Sequence, residues 1–143
     1  MNYRQATGND ICGIHEIETL SFKTPWSVES IQTDICLNEF AYYFVAENET
    51  KILGFCGVHA VLDEGHIMNV AVHPDYRGQG IGEALLLTMM AYTRLEYYTL
   101  EVRESNRSAI SLYKRLGFVI VGKRPNYYID EDALIMWRGK PEL

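Results

Sequence analysis

Between Asn69 and Leu87 the chain reads NVAVHPDYRGQGIGEALLL, three kinds of segment joined without a spacer. Val70, Ala71 and Val72 form an apolar β-type run, and His73-Pro74-Asp75 makes a turn. A glycine-rich loop, Arg77-Gly78-Gln79-Gly80-Ile81-Gly82, then leads through Glu83 into an apolar, helix-forming run. A strand passed through glycines onto a helix N-terminus builds an anion site. The glycines let backbone N–H groups converge with no Cβ between them, and the helix contributes roughly half a positive charge. The expected ligand carries phosphate. The plainer alternative is a strand-to-helix turn with spare glycines.

Spacing separates the known kinds of phosphate loop. A Walker loop needs Lys and then Ser or Thr after its last glycine, whereas Gly82 is followed by Glu83 and Ala84. A Rossmann fingerprint needs G-x-G-x-x-G; Gly78 and Gly80 fit, but the third position is Glu83. Glu101, about twenty residues on, stands where the ribose-binding acid would, so spacing alone leaves that reading open. The remaining pattern is R-x-x-G-x-G, in Arg77, Gly80 and Gly82. It resembles the acetyl-coenzyme A pyrophosphate loop of the GNAT superfamily of N-acetyltransferases.

At 143 residues the chain is expected to form one domain, spanning 1–143, too short for a two-domain dehydrogenase. An apolar content of 48% and a charged content of 22% are those of an ordinary folded protein. A net charge of −6 argues against broad nucleic-acid or anionic-membrane binding and suits a cationic partner such as an amine or a basic peptide. Cys12, Cys36 and Cys56 are odd in number, form no C-x-x-C pair and sit among apolar neighbours, which predicts small buried hydrophobes rather than disulfides or a zinc ribbon. The polar start MNYRQATGND and the lack of any run of eighteen apolar residues predict a cytoplasmic protein. His59, His66 and His73 recur every seven residues. They would fall on different strands and in a turn, so no metal is expected.

The periodicities give a coarse map. Tyr3–Ala6 reads as a strand; Thr7-Gly8-Asn9-Asp10 starts a helix that continues through Ile11, Ile14, Ile17 and Glu18. A loop ending in Pro25-Trp26 precedes a helix capped by Ser27 and running to about Leu37. Residues 41–47 and 51–62 form antiparallel strands, and 64–72 is the next strand. A helix over 80–96 carries Ile81, Leu85, Met89 and Tyr92 on one face. A strand over 97–102, a helix over 108–116 ended by Gly117, and strands over 119–122 and 133–137 complete the chain. This order predicts an α+β (mixed α/β) fold, a mostly antiparallel twisted sheet of about seven strands flanked by four helices. It is not a string of βαβ units, which weighs further against the Rossmann reading.

A second constellation deepens the resemblance. Residues 100–118 follow the pattern LEVRxSNxxAIxLYxxLGF, as in the distal half of the GNAT superfamily. Pro25-Trp26-Ser27, Leu62-Asp63-Glu64, Asn69 and Asn126-Tyr127-Tyr128 are similar to its RimI-type ribosomal-protein alanine N-acetyltransferases. The similarity is dense from Leu62 to Met136 and sparse before it. It implies a GNAT fold, acetyl-coenzyme A as co-substrate, no metal, and direct transfer of acetyl to the N-terminal alanine of a small-subunit ribosomal protein. It further implies a monomer or weak dimer that contacts neither nucleic acid nor membrane. Glu101 matches the general base, working through water, and Tyr113 the acid that protonates the departing sulfur. Asn106 matches a cofactor contact.

The residues themselves accommodate that chemistry. Backbone N–H groups of Gly78, Gln79, Gly80, Ile81, Gly82 and Glu83 can anchor phosphates, with Arg77 adding charge. An N–H of the Val70-Ala71-Val72 strand can polarise the thioester carbonyl, a donor worth ~2.7–4 kcal/mol. An α-amine titrates near ~7.7–8.0 and a lysine near ~10.4, a gap of about 3.4 kcal/mol in deprotonation, so one carboxylate favours the α-amine. Pro25, Trp26, Asn69, Tyr127 and Tyr128 are the substrate-side candidates, two of their segments being loops with apolar bodies and polar tips. Each residue also has a structural reading: Glu101 as a strand-end carboxylate paired with Arg103 or a lysine, Tyr113 as a core aromatic sharing a face with Ile110 and Leu116, Asn106 as a helix cap, the loops as pins on the core. A small-molecule amine acceptor, such as an aminoglycoside, polyamine or amino acid, is the alternative substrate. A non-catalytic acyl-coenzyme A module is the alternative of a different class. Pro125, standing where RimI relatives carry a basic residue, and a short connection over 128–131 put the shape of the peptide groove in question.

Overall fold

The computed structural model describes residues 1–139. Its strands are β1 (Asn2–Gln5), β2 (Ala41–Glu47), β3 (Ile52–Val61), β4 (Glu64–Val72), β5 (Tyr97–Arg103), β6 (Val119–Tyr128) and β7 (Glu131–Arg138). Its helices are α1 (Ile11–Ser21), α2 (Val28–Leu37), α3 (Ile81–Thr93) and α4 (Arg107–Arg115). The sheet order is β1-β2-β3-β4-β5-β7-β6. The β1–β2, β2–β3, β5–β7 and β6–β7 ladders are antiparallel, and β4–β5 is parallel, pairing Glu64–His66 with Tyr97–Thr99. This is the α+β arrangement expected from the element order. Among the described residues no helix is long and apolar enough to cross a membrane.

Contacts group the chain into two compact units, Met1–Ala60 with Ile67–Arg94, and Val61–His66 with the chain from Leu95 onward. In the first, β2 alternates its faces as period-2 geometry requires. Tyr43 and Val45 join Phe55, Ala71 and the Ile11, Ile14, Ile17 and Ile31 stripes of α1 and α2 in one buried cluster. Phe44 meets α3 through an edge-on contact with Tyr92. Gly54 lets α3 approach β3: a Cβ there would stand 3.1 Å from both Leu85 Cδ1 and the Ala71 carbonyl. In the second unit Tyr98, Leu100 and Val102 of β5 are buried, together with Tyr113, Phe118, Ala133 and Met136.

Four details depart from the sequence reading. Helix α3 stops at Thr93 because Arg94 turns left-handed at φ +48°; beyond it the Leu95 N–H donates to the Tyr98 hydroxyl, and those of Glu96 and Tyr97 both donate to the Asp63 carbonyl. Tyr92 lies off the buried Ile81–Leu85–Met89 stripe, 57% exposed, its ring against Tyr42 and Phe44. Strand β6 runs on to Tyr128, through Pro125 and a left-handed Asn126, with the ladder to β7 shifting register between Arg124 and Tyr128. An edge strand tolerates proline because no second neighbour needs its N–H. Only Cys56 is buried, its thiol pushed up to about 12 by burial; Cys12 and Cys36 are exposed. At 100° per residue, positions 12 and 36 turn away from the Ile11–Ile14–Ile17 and Ile31–Asp34 faces, which apolar neighbours in sequence do not reveal.

Candidate active site

Strand β5 buries its even positions, so Thr99, Glu101 and Arg103 project from the opposite face. There the Glu101 side chain, 9% exposed, meets His66 of β4 with Nε2 to Oε2 at 2.6 Å. Arg124 of β6 stands 3.8 Å from Oε1. The His66 contact holds the Glu101 carboxyl below the usual range, against burial and with help from the Arg124 charge. The group is a carboxylate throughout neutral pH. Its partners are therefore not those foreseen: Arg103 instead binds Asp130 at 2.6 Å and Glu131 at 3.2 Å, closing the β6–β7 hairpin.

Tyr127 and Tyr128, expected on a loop, lie on β6 beside this carboxylate. Tyr128 donates its hydroxyl to the Glu101 carbonyl at 3.3 Å and lies under the Arg103 guanidinium, 4.3 Å from the ring centre. Tyr127 sits edge-on to Tyr128 and keeps 46% of its surface exposed. Burial and the Glu101 charge raise its phenol. Burial pushes that of Tyr128 up to about 12. Asn106 caps α4, accepting the Ala109 N–H at 3.2 Å. Tyr113 is the buried residue of α4, its ring 5.8 Å from that of Phe118. The structural reading of each thus describes a real contact, and neither contact removes the residue from chemistry.

In the first unit, side chains and glycine backbone together shape the loop after β4. His73 accepts the Asp75 N–H and Arg77 folds back, donating Nε to the Val72 carbonyl at 2.9 Å and Nη2 to Ser21 Oγ at 3.2 Å. Gly78 and Gly80 sit at φ +79° and +80°, where a Cβ would strain the backbone although no atom lies within 4 Å of its place. Gly80 is the N-cap of α3 and, as a glycine, brings no side-chain cap of its own. Gly82 and Glu83 fall inside its first turn. Exposed glycines at φ +79° and +80° leading into a helix N-terminus fit a diphosphate.

The substrate-side candidates of this unit meet at a residue noted only for its helical spacing. Glu18 of α1 is 2% exposed, yet its carboxylate accepts Asn69 Nδ2 at 2.7 Å and the Trp26 backbone N–H. It ties the Pro25-Trp26 loop to β4, while the Trp26 ring packs on the buried cluster around Tyr43. Pro25 itself is exposed. Burial drives the Glu18 carboxyl from 4.5 up to about 7, and the two hydrogen bonds only partly offset it. The folded chain thus keeps this proton to higher pH than the unfolded chain, so native stability falls as pH rises through that window. Glu18→Gln should remove the dependence: the wild-type-minus-variant difference in unfolding free energy should drop by ~3 kcal/mol across it. Urea titrations over that range measure this, and a flat difference would mean Glu18 ionises like an exposed glutamate.

His66, Arg124 and Glu18 were missed as site residues. His66 and Glu101 are brought together by the β4–β5 register, which no local pattern encodes. A buried glutamate at the i+7 position from Ile11 was the one legible signal.

Comparisons with known proteins follow the same line. Residues 11–118 match the Acetyltransferase (GNAT) family. A Bacillus subtilis (strain 168) protein provisionally named ribosomal protein bS18-alanine N-acetyltransferase is 41% identical over 133 residues, 90% of this chain and 88% of its own. The ribosomal protein bS18-alanine N-acetyltransferase of Escherichia coli (strain K12) is 36% identical over 134 residues, 89% of each chain. The crystal structure of the ribosomal-protein-S18-alanine N-acetyltransferase from Escherichia coli aligns with a TM-score of 0.88 at 35% identity, over 96% of this chain and 92% of that one.

Proposed function

The chain belongs to the GNAT family of acetyltransferases, and from that premise we propose that it moves an acetyl group from acetyl-coenzyme A to the N-terminal α-amine of an alanine on ribosomal protein bS18. Acetyl-coenzyme A supplies an activated acyl group as a thioester. Gly78 to Glu83 hold its diphosphate through backbone N–H groups, with Arg77 bracing the loop and adding positive charge. A backbone N–H of Val70, Ala71 or Val72 polarises the carbonyl, and Asn106 contacts the cofactor. Pro25, Trp26, Asn69, Tyr127 and Tyr128 hold the peptide.

The proton steps fall to two side chains. Glu101 first takes one ammonium proton through water, freeing the lone pair that attacks the carbonyl carbon, and the second nitrogen proton, lost as the C–S bond breaks, restores the Tyr113 hydroxyl through water. Tyr113 gives its proton to the sulfur as the C–S bond breaks. No covalent enzyme intermediate is needed. The observation that carries this reading is the Glu101 carboxylate, kept ionised beside two tyrosines. An α-amine with a pKa of ~7.7–8.0 yields its proton to such a group far more cheaply than a lysine near ~10.4. A net charge of −6 favours a basic protein N-terminus, and such a substrate places the enzyme in the cytoplasm.

Incubating the protein with acetyl-coenzyme A and a panel of acceptors tests the proposal. The panel contains alanine-initiated bS18 peptides, the same peptides blocked at the N-terminus, and free polyamines and aminoglycosides. Mass spectrometry should find acetyl on the α-amine of the unblocked peptides and not on their lysines. Transfer to the free amines in preference would assign the small-molecule activity instead.

A further inference from the structure

We propose that His66 is the positioning residue of the base: it occupies Glu101 Oε2 and thereby leaves Oε1 to receive the amine proton. This rests on the assignment of Glu101 as base. The geometry is specific. The two residues sit on neighbouring strands, His66 paired in register with Thr99, two residues before Glu101. Its ring nitrogen reaches Oε2 at 2.6 Å, while the His66 side chain stays 38% exposed and that of Glu101 only 9%. With Nε2–H donating, the imidazole fixes the carboxylate plane and one of its oxygens. A carboxylate pinned at one oxygen presents the other in a fixed orientation, which is what a general base requires.

The remaining groups around the pair do not duplicate this contact. Arg124 lies 3.8 Å from Oε1, outside hydrogen-bond distance, and stacks over Tyr127 at 5.7 Å. The Tyr128 hydroxyl is engaged by the Glu101 backbone carbonyl rather than by its carboxylate. Arg103 is committed to Asp130 and Glu131. His66 is thus the group that both orients the base and keeps it ionised. Its loss should lift the carboxyl back toward the ordinary range, leaving the Arg124 charge and a backbone hydrogen bond to support the charged form.

The test is the pH dependence of kcat and kcat/KM for the alanine peptide in wild type, His66→Phe, His66→Gln and Glu101→Gln. For His66→Phe, kcat should fall about tenfold, less than the ~10²–10⁴-fold cost of losing the base itself, and the KM for acetyl-coenzyme A should stay within about twofold. Beneath the titration of the substrate amine, the lower and steeper segment of the acid limb of kcat/KM, where Glu101 itself takes up a proton, should move to higher pH. His66→Gln, which restores an N–H donor without the imidazole, should regain part of kcat. A His66→Phe enzyme with the wild-type limb and turnover, beside an inactive Glu101→Gln, overturns the role of His66 and leaves Glu101 as base. A lowered kcat with an unmoved limb and a matching drop in Tm reduces His66 to a packing residue. An active Glu101→Gln overturns both assignments at once.

Discussion

Replacing Glu101 with glutamine should lower kcat for the alanine peptide by ~10²–10⁴-fold while the affinity for acetyl-coenzyme A stays within about a factor of two. Glutamine matches glutamate in size and offers no proton acceptor of useful basicity. The contacts that hold the backbone there survive the change, since Tyr128 bonds the main-chain carbonyl of residue 101 and β7 pairs with it through Ile135. The variant should therefore fold, and steady-state kinetics read alongside a melting curve isolate the chemical loss. The wild-type pH profile follows from the same geometry. Because His66 holds Glu101 below the usual carboxylate range, the base is ionised well before neutrality. The rise toward alkaline pH should then be set by the substrate amine, near ~7.7–8.0. Unaltered turnover in the variant would place the base on another residue.

Much of this site was readable before the structure, for reasons particular residues make plain. The glycines at 78 and 80 are visible in sequence because their backbone angles exclude side chains, so composition records geometry directly. Asn106 and Ser27 were legible as caps because a cap is a contact between residues three apart. The strand and helix order followed from periodicity, and β5 shows the alternation cleanly. What stayed hidden depends on pairing between distant segments. His66 reaches Glu101 through the β4–β5 register, and Asn69 reaches Glu18 across 51 residues. Strand β6 read as four residues because Pro125 and Asn126 break the pattern, whereas pairing with β7 carries the strand past them. The cysteines misled for a related reason: apolar neighbours in sequence say little about which face of a helix a side chain takes.

Asp34→Ala should cost the fold ~3–5 kcal/mol, the range found when one member of a buried charged network is removed. Asp34 of α2 is 7% exposed and accepts from three side chains at once: the Tyr43 hydroxyl at 2.6 Å, His59 Nε2 at 2.8 Å and Asn38 Nδ2 at 2.8 Å. Tyr43 is itself 3% exposed, so its hydroxyl would be left buried without an acceptor, ~1–3 kcal/mol of the total. For a domain of this size the loss corresponds to a fall in Tm of about 10–20 °C. Burial pushes the Asp34 carboxyl up, but the bonds from Tyr43, His59 and Asn38 outweigh it and hold the group below its ordinary 3.8. The stability it contributes is therefore complete above that pH and is lost as pH falls through the lower folded-state value. Asp34→Asn, which keeps one acceptor oxygen, should lose less and should no longer show that acid-side decline. The consequence reaches the proposed peptide-binding residue Trp26, which packs on the cluster that contains Tyr43. Urea denaturation of the two variants across acid pH measures both effects. An alanine variant within about 1 kcal/mol of wild type would mean that water replaces the carboxylate at no cost, leaving α2 anchored by its apolar face alone.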